Sequence, residues 1–206
     1  MGSRLVEIVP EIKINDELSH LNRIRLVGEV FQALGSGHLP RLQRLQFRAT
    51  DLSSLSPDLL TSVTRLREAS FMNCQLTAVQ LTAILAAISQ AEELQLKHLD
   101  VYGNSLTEVK VDTLAGAAAR LDTLIAGETE LGSERVEDIL RSILAMEDLR
   151  LKKLTILTLH RTILPQISPA VLSAAQVKLE SSDLQENHHS SDLKSFALGM
   201  DPGHIF

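Results

Sequence analysis

Apolar residues recur along the chain at positions one, four, six and eleven of an eleven-residue window, with a small or polar residue at position nine. Leu96-Leu99-Val101-Asn104-Leu106 is the cleanest window. Leu42-Leu45-Phe47-Thr50-Leu52, Leu66-Ala69-Phe71-Cys74-Leu76, Leu121-Leu124-Ala126-Thr129-Leu131 and Leu154-Leu157-Leu159-Thr162-Leu164 follow the same rule. Looser copies flank them, Leu21-Ile24-Leu26-Glu29-Phe31 before and Ala174-Val177-Leu179-Ser182-Leu184 after. The starts lie 21, 24, 30, 25, 33 and 20 residues apart. Short and long spacings alternate through the middle, so the larger unit reads as a pair of repeats. Alternation from position four to position six predicts a short strand with its leucines turned inward.

The segments between windows change period. Leu81, Ile84, Leu85 and Ile88 recur at three and four residues, as do Val136, Ile139, Leu140 and Ile143. Each set makes one apolar face of a helix. Thr77 and Gln80 form a capping-box pattern, in which the glutamine reaches back to the backbone N–H of the cap. Ser56-Pro57 and Ser168-Pro169 place serine at an N-cap and proline at the first helical position, where no N–H is needed. The chain therefore reads as strand, turn and helix, repeated about seven times. Ahead of the first window, EIKI predicts an extra edge strand. Past Leu184, the apolar set Leu193, Phe196, Ala197 and Met200 predicts a short capping helix or a flexible tail.

On these windows the sequence resembles the leucine-rich repeat family, and its long helical connections look most like the ribonuclease-inhibitor type. The resemblance covers residues 21–184, with a cap segment at 1–20 and a cap or tail at 185–206. It implies an α/β fold: a leucine-rich-repeat solenoid, or horseshoe arc, with a concave parallel β-sheet and convex helices. One repeat cannot bury its own leucine face, so neighbours stack and share a core. Position nine, where the strand turns toward the helix, calls for a side chain that satisfies backbone groups. Asparagine carries both donor and acceptor; threonine, serine and cysteine stand in for it.

Composition narrows the function. Hydrophobic residues are 44% and aromatics 3%, which suits uniform layers of Leu, Ile, Val and Ala. A net charge of -6 lacks the positive field that drives binding to phosphate backbones, so no nucleic-acid partner is expected. A single cysteine forms no internal disulfide and fits a reducing, cytoplasmic setting. The longest apolar runs fall well short of a bilayer span, and no membrane partner is expected.

Candidate chemistry is sparse. Cys74 is the obvious nucleophile, but its nearest histidine by repeat position is His98, while Cys74 itself falls on the inward ladder. His188, His189 and His204 lack the spacing of a zinc site. Gly35-Ser36-Gly37 lacks the rest of a phosphate loop. No catalytic constellation, metal or cofactor is expected. What remains is the outward face of the strands, read from positions three, five and seven. It gives a basic end, Arg23, Arg25, Arg44 and Arg48, and a centre of Met72, His98, Asp100, Tyr102 and Ile125, with His160 further on. Met and Tyr anchor interfaces. The expectation is a non-enzymatic module that binds a protein partner on its concave face, an acidic partner segment meeting the arginines. A second reading is a regulatory scaffold such as a GTPase activator, which would lend one of those arginines to its partner's active site.

Overall fold

The computed structural model describes residues 11–14, 20–129, 131–158, 166–179, 181–186 and 197–198. Its strands join one sheet in chain order: β1 (Glu11–Ile14), β2 (Arg44–Arg48), β3 (Glu68–Met72), β4 (His98–Asp100), β5 (Thr123–Thr129), β6 (Lys153–Thr158), β7 (Ser181–Glu186) and β8 (Ala197–Leu198). β1 to β7 run parallel, and β8 turns back antiparallel on β7. The crossovers carry α1 (His20–Gly35), α2 (Pro57–Leu60) with a 3-10 turn at Thr61–Arg65, α3 (Ala78–Gln90), α4 (Val111–Ala118), α5 (Ser133–Ala145) and α6 (Pro169–Lys178).

Alternation along the strands decides which face is covered. Leu45, Phe47, Ala69, Phe71, Leu99, Leu124 and Ala126 are buried, while the residues between them are half-buried or exposed. The helices answer with the predicted faces: Leu81, Ile84, Leu85 and Ile88 of α3, and Val136, Ile139, Leu140 and Ile143 of α5. Strand and helix side chains join in one apolar core running from Val27 to Leu179. At its N-terminal end Phe31 of α1, Phe47 of β2 and Phe71 of β3 stack with ring centroids 5.7 to 6.2 Å apart.

The pair of repeats is visible in the helix ends. The long helices α1, α3 and α5 alternate with shorter helical segments, and each shorter segment has a basic residue at its end or, for α4, two residues past it. Arg65 Nη1 donates to Leu34 O at 3.5 Å. Arg120 Nη1 donates to Ile88 O and Ser89 O, both at 2.9 Å, and its Nη2 to Ala91 O. Lys178 Nζ donates to Leu144 O. The last carbonyls of a helix have no intrahelical donor and carry the negative end of its dipole, so a cation there satisfies both. The same job recurs once per pair of repeats.

Several expectations about elements need correction. Leu21–Phe31 is not a strand but lies within α1, whose buried face is Val27, Phe31 and Leu34. The spacing of one and four belongs to helix and strand templates alike, and Leu26, an inward position on the strand reading, is 39% exposed. The strand of that first repeat is EIKI itself, with Ile12 opposite Leu45 and Ile14 opposite Phe47. Next, β6 is set by Leu154 opposite Leu124 and Ile156 opposite Ala126. Its window therefore starts at the buried Leu151, three residues before the expected Leu154. Last, Ser182 lies opposite Leu154, which moves the seventh window to start at Leu179 and leaves Ala174 and Val177 on α6. In this register the matched pairs Arg44–Glu68, Glu68–His98, His98–Thr123 and Thr123–Lys153 are 24, 30, 25 and 30 residues apart, so the alternation is more regular than the sequence windows suggest. Ala197 and Leu198 extend the sheet rather than a capping helix; the rest of that segment lies outside the described residues.

Caps came out unevenly. The Thr77–Gln80 box is formed: Thr77 N donates to Gln80 Oε1 at 2.9 Å and Gln80 N to Thr77 Oγ1 at 3.3 Å. Gln80 is buried, and its Nε2 also donates to Leu52 O and Leu55 O of the preceding repeat at 2.8 and 2.7 Å. Ser56 and Ser168 do sit at N-caps ahead of proline, yet neither hydroxyl accepts a cap bond. At Ser168 the backbone N–H instead donates to Glu137 Oε2 of α5 at 2.9 Å.

The strand-to-helix turns use left-handed backbone at one equivalent place, Ala49 (φ 51), Asn73 (φ 54) and Gly103 (φ 71). At Gly103 an added Cβ would come within 1.7 Å of Asn73 Oδ1 and 3.2 Å of its Cα. Gly103→Ala is expected to lower stability by about 2–3 kcal/mol, from left-handed strain plus the displaced Asn73. Urea unfolding of Gly103→Ala beside Gly103→Ala/Asn73→Gly checks this: the second change should recover the steric part and leave the strain.

Candidate functional site

The face of the sheet that no described helix covers carries the residues that alternate with the core. Its rows follow from the register: Arg44, Glu68, His98, Thr123 and Lys153 in one, and Gln46, Ser70, Asp100 and Ile125 in the next. In the middle of this face is a shallow depression of ≈ 420 Å³, lined by Gln46, Glu68, Ser70, Met72, His98, Asp100, Thr123 and Ile125 over Ala69 and Leu99. The short side chains at Ser70 and Thr123 leave the hollow, and the longer ones rim it.

Asp100 is held from two sides. Ser70 Oγ donates to its Oδ2 at 3.0 Å and Tyr102 N to its Oδ1 at 2.9 Å. Both partners use one lone pair per oxygen, so the carboxylate keeps acceptor capacity while its rotamer is fixed. Ser70 is thus bonded to a carboxylate, and no histidine accepts its proton; the pair has no nucleophile geometry.

Of the expected face residues, Met72, His98, Asp100 and Ile125 are brought together around the depression. Arg44 and Arg48 flank it on β2, both exposed. Tyr102 sits in the turn after β4, half-buried; its carbonyl accepts Asn73 N at 2.8 Å and Asn104 Nδ2 at 3.2 Å. Arg23 and Arg25 do not belong to this face: they lie on α1, where Arg25 pairs with Glu29 at 3.8 Å on an exposed turn. The basic end is therefore one strand, not two, and a scaffold that lends an arginine has lost half its candidates. His160 lies outside the described residues. In the corrected register of β6, Lys153 stands opposite Thr123 and Ile156 opposite Ala126.

Cys74 has no route to chemistry. It is fully buried, its Sγ donates weakly to Met72 O at 3.4 Å, and burial pushes the thiol up to about 12, where the hydrogen bond from the Thr50 backbone only partly opposes it. Native protein at pH 8 is expected to react with iodoacetamide at least about a hundredfold more slowly than denatured protein, followed by intact mass. The unfolded thiol ionises near 9.0 and the folded one near about 12, so stability attached to this group falls as pH rises between those values. Among the described residues no group of three or more His, Cys, Asp and Glu could hold a metal ion. No described helix is long and apolar enough to cross a membrane.

No protein-family model matches the chain, and no curated protein matches it. Among solved structures it is similar to a leucine-rich repeat protein of Leptospira interrogans, at 18% identity and a TM-score of 0.39. That match covers 75% of this chain and 47% of the other, so the chain spans about half the length of that structure.

Proposed function

We propose that this chain is a non-enzymatic protein-interaction module of the leucine-rich repeat kind, ribonuclease-inhibitor-like in its long helices, that holds a protein partner on the uncovered, concave face of its sheet. The reading is carried by the depression at the centre of that face. Met72 and Ile125 are half-buried there beside Glu68, Ser70, His98 and Asp100, an apolar centre with polar edges in the arrangement interfaces use. Strand repetition with helical crossovers, and the bonds Asn104 makes inside its turn, support the family reading. The acidic net charge and the single buried cysteine support a protein partner in the cytoplasm over nucleic acid or a membrane.

Affinity capture with the full chain, beside Met72→Glu/Ile125→Glu and the helix-side control Val79→Glu, tests this. Val79 is 68% exposed on α3, away from the sheet. A partner captured by wild type and control and lost from the face variant supports the reading. Equal recovery on all three overturns it.

A further inference from the structure

The charges around the depression are not evenly mixed. Glu68 and Asp100 line it, whereas among the described residues no lysine or arginine does. Glu68 stands opposite His98, and Asp100 opposite Ser70, so the two carboxylates are diagonal neighbours across β3 and β4. Neighbouring strands lie about 4.8 Å apart and two residues rise about 6.6 Å, so such diagonal positions are about 8 Å apart, which leaves room for one cationic head between them. Both acids are half-buried, so an incoming charge is screened less than on an open surface. Asp100 is already oriented by Ser70 and Tyr102, so little freedom is lost when it takes another donor. Met72 and Ile125 stand on either side as apolar walls, the surface against which a lysine or arginine stem packs while its head stays polar.

We infer that the depression seats one basic side chain, lysine or arginine, of the protein segment bound on this face, with Glu68 and Asp100 as counter-charges and Met72 and Ile125 against its stem. The inference rests on the proposed use of the uncovered sheet face and specifies what that face selects. Arg44, opposite Glu68, and Arg48, opposite Met72, flank the hollow on β2 and repel further positive charge. The segment therefore carries an isolated basic residue, with acidic or neutral neighbours toward β2, and not a polybasic run. This reverses the emphasis of the sequence, whose arginines alone suggested an acidic partner.

Selection of a random dodecapeptide display library on the full chain, with fluorescence anisotropy of the recovered peptides, tests it. The expected result is peptides with a single lysine or arginine. Their affinity should fall about tenfold in Glu68→Gln/Asp100→Asn, stay unchanged in Arg25→Ala, and weaken with added salt. Asparagine at 100 still accepts from Tyr102 N through Oδ1 and donates through Nδ2 to Ser70 Oγ, so that variant keeps the turn. Peptides lost on Met72→Glu that show no basic residue, or that ignore the double neutralisation, overturn the inference and leave the face reading standing. Peptides indifferent to Met72→Glu remove both. Thr123→Glu, which fills the hollow from β5, replaces Met72→Glu if melting by circular dichroism shows the latter unfolded.

Discussion

Replacing Asn104 with leucine is expected to lower the free energy of unfolding by about 3–5 kcal/mol, although leucine has the same number of side-chain heavy atoms and the same branching. Asn104 is 2% exposed and every polar atom of its amide is engaged. Oδ1 accepts Leu76 N at 2.8 Å, and Nδ2 donates to Phe71 O at 2.7 Å, Val101 O at 3.0 Å and Tyr102 O at 3.2 Å. Two of these partners, Leu76 and Phe71, belong to the preceding repeat, so one side chain ties two turns together. Leucine would leave the buried Leu76 N–H without its acceptor and take the amide donor from Phe71 O, while Tyr102 O keeps Asn73 N and Val101 O keeps the backbone N–H of residue 104; the stranded N–H costs more than the bond itself contributes.

The neighbouring repeat explains how the chain manages with one good asparagine. Leu52 N, equivalent to Leu76 N, donates to the backbone carbonyl of Cys74 at 2.9 Å. Cys74 is flanked by two left-handed residues, Asn73 and Gln75, and the turned backbone supplies the acceptor that Asn104 supplies from its side chain. Asn104→Thr should therefore cost less than Asn104→Leu, because a hydroxyl still offers Leu76 an acceptor. Urea unfolding of the three proteins by circular dichroism checks the order. Equal midpoints for threonine and leucine would show that an acceptor for Leu76 N does not set stability at this position.

How much of this was legible depends on whether a residue's neighbours in sequence are also its neighbours in space. Strands β2 to β5 were readable, because Leu45, Ala69, Leu99 and Leu124 carry the period of two and lie opposite one another as the windows align them. The helix faces of α3 and α5 were readable for the same local reason. Windows of leucine at one and four fail where the strand gives no further sign. Leu151, Leu154 and Leu157 offer two frames three residues apart, and only the pairing with β5 chooses between them. The same ambiguity put Arg23 and Arg25 on the sheet. Glycine and asparagine at 103 and 73 signal left-handed turns, whereas alanine at 49 gives no such sign. The centre of the site was legible as outward columns, but the hollow was not. It arises from short side chains at Ser70 and Thr123 on strands 53 residues apart in sequence, and no local pattern reports that.

Phe47→Ala should have an effect of similar size, about 3–5 kcal/mol, and its spatial reach should differ from that of Asn104. Phe47 is 1% exposed and lies against Phe31 at 5.7 Å and Phe71 at 5.8 Å, joining α1 to the first two full repeats. Truncation removes its buried ring surface and the ring–ring contacts, and Phe31 and Phe71, themselves stacked at 6.2 Å, can close only part of the void. In a stacked fold each repeat touches only its neighbours, so damage at one end need not spread at once to the other. Hydrogen exchange followed by mass spectrometry should thus show protection lost first in α1, β2 and β3, while α5 stays protected. For Asn104→Leu the loss should centre on the turns after β3 and β4. If Phe47→Ala instead unfolds every segment together at an unchanged denaturant slope, the chain is one cooperative unit, and the three phenylalanines anchor all of it.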